Sequence, residues 1–177
     1  MKSPYTVFLA ATLAACASQP SPQNSKSAGL SDGEVAMIVV AANSIDADAG
    51  DVAMARGASE EVRNFGKAMA ATHRAVNAQA GELVQKLGIT PTENSISQQL
   101  RSDAAGVAKD LANKSGKEFD RAYIAREVAF HRAVLSAIDE VLLPETESAQ
   151  LKEAIAGVRP AIVGHLEHAE HLAKTLN

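Results

Sequence analysis

Apolar residues recur at steps of three and four along most of the chain, and this spacing predicts long amphipathic helices. The clearest of these helices spans Phe119 to Leu142. Its apolar line consists of Ile124, Val128, Leu135, Ile138 and Leu142. One step of this line has no apolar residue, and His131 stands there. Because such a line faces other helices rather than water, His131 is predicted to point into the core.

Two further helices show the same substitution. A helix predicted over Glu60 to Leu87 ends at Gly88, and His73 fills the missing step of its apolar line. A C-terminal helix predicted over Ala161 to Leu176 has His165 at its missing step. Three helices therefore each carry one histidine where an apolar residue is expected.

The faces of two other predicted helices are less distinct. The first, over Gly33 to Arg56, has one apolar line that includes Asp46 and another, almost as good, through Ile38 and Ile45. The sequence does not decide which of these two faces is buried. A helix over Ser95 to Asn113 is predicted to direct its apolar residues inward: Ile96, Leu100, Val107 and Leu111.

A further helix resumes near Thr146 and is predicted to break or kink at Gly157 and Pro160. Proline removes a backbone donor and disfavours helix in the preceding residue. Helices of this length with short connections are typical of an all-α fold. The sequence therefore predicts an up-and-down bundle of four to five helices over residues 31–177.

The residues before the bundle resemble a lipoprotein leader. Lys2 precedes an apolar stretch, Thr6 to Ala15, that is too short to span a bilayer permanently. The tetrapeptide Leu13-Ala14-Ala15-Cys16 resembles a bacterial lipobox, in which the cysteine becomes the lipid-modified first residue. We predict a signal peptide over residues 1–15 and a flexible, lipid-anchored tether over residues 16–30. An ordinary signal peptide with a chance cysteine is the alternative.

Localisation and partners follow from this leader and from the composition. Ala17 stands where an Asp would retain a lipoprotein in the inner membrane of enteric-type bacteria, so the resemblance implies an outer-membrane protein facing the periplasm. The chain has 1 Cys, which excludes an internal disulfide. A net charge of −4 without a Lys/Arg run argues against nucleic acid as a partner. The membrane is thus the one partner predicted.

The inward histidines are candidate metal ligands. Imidazole suits Zn, Cu, Ni or Fe, and the cores of helical bundles commonly hold such sites. A carboxylate from Asp46 or Glu127 would complete a set with His73, His131 and His165. Alternatively, the three histidines form a hydrogen-bonded polar layer without metal, in a structural or interaction lipoprotein.

Helix register limits the metal hypothesis. His131 lies 11 residues before Leu142, or about 16 Å along a helix, whereas His165 lies 20 residues after Glu145, or about 30 Å. On this reckoning the histidines share one layer only if a break near Pro160 resets the last helix.

The C-terminal segment HLEHAEH offers a second, superficial set of ligands. His165, His168 and His171 are spaced by three residues, so neighbouring members lie on one side of a helix and can share a metal ion. The alternative is a solvated face in which His168 and His171 are simply exposed.

Common catalytic signatures are missing from the sequence. It contains no Glu-x-x-His pair of the di-iron type, no HExxH and no GxSxG. The single cysteine is assigned to the lipid. These observations favour binding, storage or stress buffering over catalysis, with a mononuclear metal oxidase as a weaker hypothesis.

Four segments carry a resemblance to a known family: VRNFGKAMAATH, KLGITP, SGKEFDRAYIAREVAFHRAVL and RPAIVGHLEHAEHL. Over Asp32 to Leu176 they are similar to the bacterial domain of unknown function 4142, whose members are often labelled outer-membrane proteins. The resemblance implies a ferritin-like helical fold, with family histidines at His73, His131 and His165 and an acidic residue at Asp46. It implies no biochemical activity.

Overall fold

The computed structural model describes residues 29–176, so the predicted signal peptide, Cys16 and most of the tether lie outside the described residues. The described part consists of helices and connections: α1 (Asp32–Arg56), α2 (Glu60–Leu87), α3 (Ser95–Ala112), α4 (Gly116–Ala137), the short α5 (Leu143–Glu145) and α6 (Ala149–Thr175). The predicted all-α bundle is confirmed. Within residues 29–176, no helix has both the length and the apolar character that crossing a membrane requires.

Local sequence explains where the helices begin and end. Ser31 caps α1 and Ser59 caps α2, each through a side-chain oxygen that accepts the backbone N–H three residues later. Gly88 ends α2 with a left-handed φ of 68°, which glycine adopts without steric cost. Asn94 caps α3 in the same manner as the serines. The predicted bounds of α2 are confirmed.

α1 and α2 form the most closely packed pair of helices. Gly50 and Gly66 face each other across this hairpin, and a Cβ atom on either would lie 2.6 Å from the backbone oxygen of the other. Only glycine at these positions allows the two backbones to approach so closely.

α4 continues into a wider π-helical turn, Ile138–Leu142, and then into α5. Pro144 accounts for the change, because it has no N–H for the carbonyl of Glu140 and its ring crowds that carbonyl. The long helix predicted here is confirmed, although it begins earlier than predicted, at Gly116.

The inward orientation predicted for α3 is wrong for half of the residues named. Ile96 is 40% exposed and Val107 is 37% exposed, whereas Leu111 is buried. α3 packs mainly against α1 and touches α4 only slightly. A helix at the edge of a bundle is covered on one side, so the rest of its apolar residues stay in contact with solvent.

The break predicted in the last helix is also wrong. α6 runs through Gly157 and Pro160 without interruption. Pro160 leaves the carbonyl of Ala156 without its usual partner, but both residues are exposed, so water is available to that carbonyl.

The histidines reach one level of the bundle without any break. His131 precedes the end of α5 at Glu145 by 14 residues, and His165 follows the start of α6 at Ala149 by 16 residues. These stretches measure about 21 Å and 24 Å at 1.5 Å per residue, so the antiparallel helices return to nearly the same height. The chain reversal at residues 146–148 therefore sets the register.

The buried apolar residues form two clusters, and a polar layer lies between them. On α4, Ile124 belongs to one cluster and Ile138 to the other, with the buried His131 between them. The same order holds on α1, α2 and α6. The two apolar clusters thus shield the polar layer from above and below.

The close approach of α1 and α2 can be tested with a pair of alanine substitutions. Gly66→Ala puts a methyl group against the backbone of α1, and we expect it to lower the free energy of unfolding by about 1–3 kcal/mol. Gly81→Ala is the control, because Gly81 has no neighbour within 4 Å of a built Cβ. That change should stabilise α2 by about 0.5–1 kcal/mol. Urea unfolding followed by circular dichroism measures both. Equal effects would contradict a tight contact at Gly66.

Candidate metal site

The polar layer brings together one charged or imidazole side chain from each of four helices. Asp46 comes from α1, His73 from α2, His131 from α4 and His165 from α6. The centroids of the three imidazole rings are 5.3–5.8 Å apart. We call these four residues the histidine cluster.

Hydrogen bonds fix the orientation of His73. The amide nitrogen of Asn43 donates to the carbonyl of Val39 at 2.9 Å, so its Oδ1 must be the atom 2.7 Å from His73 Nδ1. Because an amide oxygen only accepts, Nδ1 carries a proton and donates it. His73 Nε2 is then the nitrogen directed into the histidine cluster.

The contact of His73 with Asp46 requires a cation. His73 Nε2 lies 2.8 Å from Asp46 Oδ2, yet within residues 29–176 neither atom has an aligned hydrogen-bond partner. A nitrogen lone pair repels a carboxylate at this distance. A proton or a metal ion shared by the two atoms would remove the repulsion.

His131 is oriented by its own helix. Its Nδ1 donates to the backbone carbonyl of Glu127 at 3.0 Å, which leaves the lone pair of Nε2 free. That Nε2 lies 3.7 Å from Asp46 Oδ2 and has no hydrogen-bond partner among the described residues. Burial lowers the pKa of His131, which favours the neutral imidazole that binds metals.

His165 is less buried but is kept neutral more strongly. Desolvation and the charges of His73 and His131 lower its pKa to about 4. Its Nδ1 is shielded from solvent and finds no hydrogen-bond partner in the described part of the chain. His165 therefore presents an uncharged ring with an uncommitted buried nitrogen.

Asp46 is the fully buried anion of the cluster. Burial by itself would raise its pKa, but the contact with His73 and the charge of Arg126 outweigh it and lower the pKa. Arg126 donates to Asp46 Oδ1 through one guanidinium nitrogen, while Oδ2 faces the histidines. The Asp46 carboxylate thus contacts the cationic Arg126 through one oxygen and His73 through the other.

Glu127 lies beside the cluster and is also fully buried. Desolvation and the charge of Asp46 raise its pKa, against an opposing effect of Arg126. Arg126 Nη1 donates to Glu127 Oε1 at 2.6 Å and stacks on Phe130, with 4.2 Å from Cζ to the ring centroid. Arg126 therefore serves as the counter-charge of Asp46 and as a hydrogen-bond donor to Glu127.

Two sets of side chains have the spacing of metal ligands. One nitrogen each of His73, His131 and His165 lies within 4.8 Å of the others, and so do ligand atoms of Asp46, Glu127 and His131. The first set has three uncommitted nitrogens, whereas Arg126 already occupies an oxygen of each acid in the second. The donor atoms present fit a metal ion best at the first set, with Asp46 Oδ2 adjacent.

The chain matches the model of one known family. A model described as a domain of unknown function, DUF4142, matches residues 16–172. The chain belongs to the DUF4142 family. No curated protein and no solved structure matches it.

In this DUF4142 domain all five predicted core ligands are brought into one region. Sequence reasoning did not settle whether Asp46 is solvated, and the structure buries it completely. His168 and His171 are exposed, and His168 packs edge-on against Phe65 with 5.0 Å between ring centroids. Neither joins a set of three ligands within residues 29–176. Their role as a surface metal pair stays a prediction.

Sequence reasoning missed two residues of the site, Asn43 and Arg126. Asn43 lies one turn before Asp46, so a polar stripe on α1 was detectable at that spacing. Arg126 gave no comparable signal, because arginines next to glutamates are usual on solvated helix faces. Its burial depends on the acid that α1 supplies.

The role of Arg126 can be tested by removing its charge. Arg126→Met leaves the carboxylate of Asp46 buried without its guanidinium partner, and we expect a loss of about 3–5 kcal/mol in unfolding free energy. Arg132→Met is the matched control on the same helix. Arg132 has a side chain that is 63% exposed and pairs with Glu170 at the surface, so its loss should cost about 1 kcal/mol or less.

Both variants are compared by urea unfolding in the presence of a chelator, so that no metal ion replaces the missing charge. Equally small effects would show that Asp46 is not held as an anion by Arg126.

Proposed function

We propose that this DUF4142 protein binds one transition metal ion in its core, through His73, His131 and His165 with Asp46 as the fourth ligand. The observation that carries the proposal is the convergence of three buried, uncommitted imidazole nitrogens from three helices. Unpartnered polar atoms in a core are costly, and a metal ion would satisfy all of them at once.

The surroundings of the ligands support metal binding. In metal sites, the second ring nitrogen of a ligating histidine usually donates to a carbonyl or carboxylate, which fixes the tautomer. Asn43 Oδ1 has this role for His73, and the backbone carbonyl of Glu127 has it for His131. Both histidines are therefore already oriented for ligation.

Three imidazoles and one carboxylate suit Zn, Cu or Fe. A resident ion would contribute positive charge beside Asp46. We favour binding or storage over catalysis as the function.

One observation favours a second candidate, a polar layer without metal. Arg126 already contacts both Asp46 and Glu127, and a proton on His73 Nε2 would complete an ion pair with Asp46. The histidines would then serve to align four helices, as buried polar groups do in some bundles.

Metal titration of the full-length chain distinguishes these candidates. We expect about one zinc ion per chain in competition with a chromophoric chelator, and cobalt bands typical of four-coordinate geometry. Loss of a residue that only hydrogen-bonds to a metal ligand commonly lowers metal affinity 10–100-fold. Removal of a ligand itself by His131→Ala should therefore lower the affinity by about 100-fold or more.

His171→Ala is the matched control, because it removes an exposed imidazole from the same chain. It should leave the affinity unchanged. Absence of tight binding to a folded wild-type protein, or equal binding by both variants, would favour the metal-free polar layer.

We also propose that Cys16 anchors the protein in the outer membrane, facing the periplasm. The lipobox-like sequence before Cys16 supports this, together with a polar segment of suitable length before the first helix.

The anchor can be tested with a labelled fatty acid fed to cells that make the full-length chain. Label is expected in the wild-type protein and in the outer-membrane fraction. It should be lost in Cys16→Ser, and that variant should accumulate in the membrane in uncleaved form. Incorporation of label into Cys16→Ser would contradict the proposal.

A further inference from the structure

The uncommitted nitrogens of the histidine cluster are closed to solvent. His73 Nε2, His131 Nε2 and His165 Nδ1 are all buried, so an ion reaches them only after some part of the surroundings has moved. As residues the three differ, because His165 is half-buried whereas His73 is 3% exposed and His131 is 0% exposed. Side chains that reach solvent change rotamer within nanoseconds. Of the three ligands, His165 is therefore the one best able to turn outwards.

Arginines lie at three of the four seams, the lines of contact between neighbouring helices that carry the cluster. Arg74 pairs with Asp51 across α1 and α2, and Arg132 pairs with Glu170 across α4 and α6. Arg126 reaches from α4 to an acid of α1. A cation that approaches along these seams meets a guanidinium, which repels it and cannot ligate it.

The fourth seam, between α2 and α6, presents an imidazole instead. His168 is exposed on α6 and packs edge-on against Phe65 of α2, with 5.0 Å between ring centroids. Deeper in the same seam, the ring of His165 lies 5.3 Å from that of His73 of α2. Two histidines of α6 thus border this seam, one at its outer edge and one at the cluster.

The spacing of these two histidines along α6 makes them neighbours. Residues three apart on a helix differ by about 60° around its axis, and their Cβ atoms are about 5–6 Å apart. Desolvation is the largest cause of the lowered pKa of His165, and the charge of His168 is a smaller one, as expected for adjacent rings. His171 is exposed and is turned about 120° from His165. His168 can therefore share an ion with His165, whereas His171 cannot.

The cavity between the helices is a less suitable route for an ion. His73 and His165 lie in its wall, but the other polar side chains there are Asn43, Thr72 and Gln79, and the remaining lining residues are apolar or glycine. An ion that loses its water in apolar surroundings is far less stable than one that exchanges water for imidazole. A path along the imidazoles avoids this cost.

We infer that His168 and His165 form an outer metal-binding pair, which binds the ion first at the α2–α6 seam and passes it to the histidine cluster. The inference rests on the proposed metal site and adds the route by which that site is filled. His165 belongs to both sites, so rotation of its ring moves the ion from His168 towards the core. An ion held by the pair is presented to the core ligands at an effective concentration on the order of mM.

Uptake of cobalt by the full-length chain measures this transfer. The bands of four-coordinate cobalt appear when the ion reaches the core, and stopped-flow absorption gives the rate of uptake. Transfer of the bound ion to an excess of chelator gives the rate of release. His168→Phe keeps an aromatic ring against Phe65 and removes the ligand nitrogens. We expect both rates to fall about tenfold or more, because the effective concentration supplied by the pair is lost. The Kd should stay unchanged, since a transfer ligand speeds entry and exit equally.

Two further variants separate ligation from packing. His171→Phe makes the same change at an exposed imidazole outside the seam and should alter neither rate. His168→Glu places a carboxylate, which is also a zinc ligand, where the imidazole was and should recover most of both rates. A packing role of His168 does not predict this recovery, because glutamate has no ring to set against Phe65.

Thermal unfolding is measured on every metal-free variant, and His168→Gln repeats the test if the phenylalanine variant is unstable. Unchanged rates in His168→Phe, or equal slowing by His171→Phe, would overturn the inference and leave the metal site intact. Slow uptake by His168→Glu would also overturn it, since ligation at this position would then not matter. So would a weaker Kd in a stable His168→Phe protein, because His168 would then belong to the final site. Failure of the folded wild-type chain to bind cobalt would overturn both proposals.

Discussion

The structure depends on neutralising one buried carboxylate, that of Asp46. An uncompensated charge in a core is too costly to persist, so its position dictates what the neighbouring helices must supply. α4 supplies Arg126 to one oxygen, and α2 supplies His73 to the other. Helices that are otherwise rich in small, interchangeable apolar residues thereby acquire one defined register. His131 and His165 lie in that layer because α4 and α6 meet there, and the free Nε2 of His131 lies 3.7 Å from the same carboxylate.

The tight α1–α2 hairpin and the polar layer are two consequences of one alignment. Gly50 faces Gly66, and seven residues away from each glycine Asn43 faces His73. A hairpin that slipped by one residue would lose both the close backbone approach and the bond that orients His73. The aromatic content of 3% fits this design, because small side chains allow the backbones to approach until polar side chains from opposite helices can touch.

The histidines were predictable because each interrupts an apolar line, and periodicity reports which side of a helix is buried. The bounds of α2 were predictable for a similar reason, since capping chemistry is local. Arg126 was not, because its burial depends on an acid 80 residues away on another helix. For α3 the prediction erred in the other direction and assigned too much burial. Its apolar spacing is that of a buried helix, although the fold covers only one of its sides. The continuity of α6 through Pro160 depends on solvent reaching the freed carbonyl, which periodicity does not report.

Arg126 has a further consequence for the kind of ion that the core would accept. Cations that prefer oxygen, such as Mg²⁺ and Ca²⁺, need several carboxylate or carbonyl ligands and tolerate imidazole poorly. The only two buried carboxyl groups near the cluster, among the described residues, each give one oxygen to Arg126. Such a cation would have to displace a guanidinium that is itself buried and stacked on Phe130. An ion that prefers imidazole ligands would displace no guanidinium, because the histidine nitrogens of the cluster have no hydrogen-bond partner among the described residues. By holding the acids, Arg126 thus biases the site towards the later transition metals.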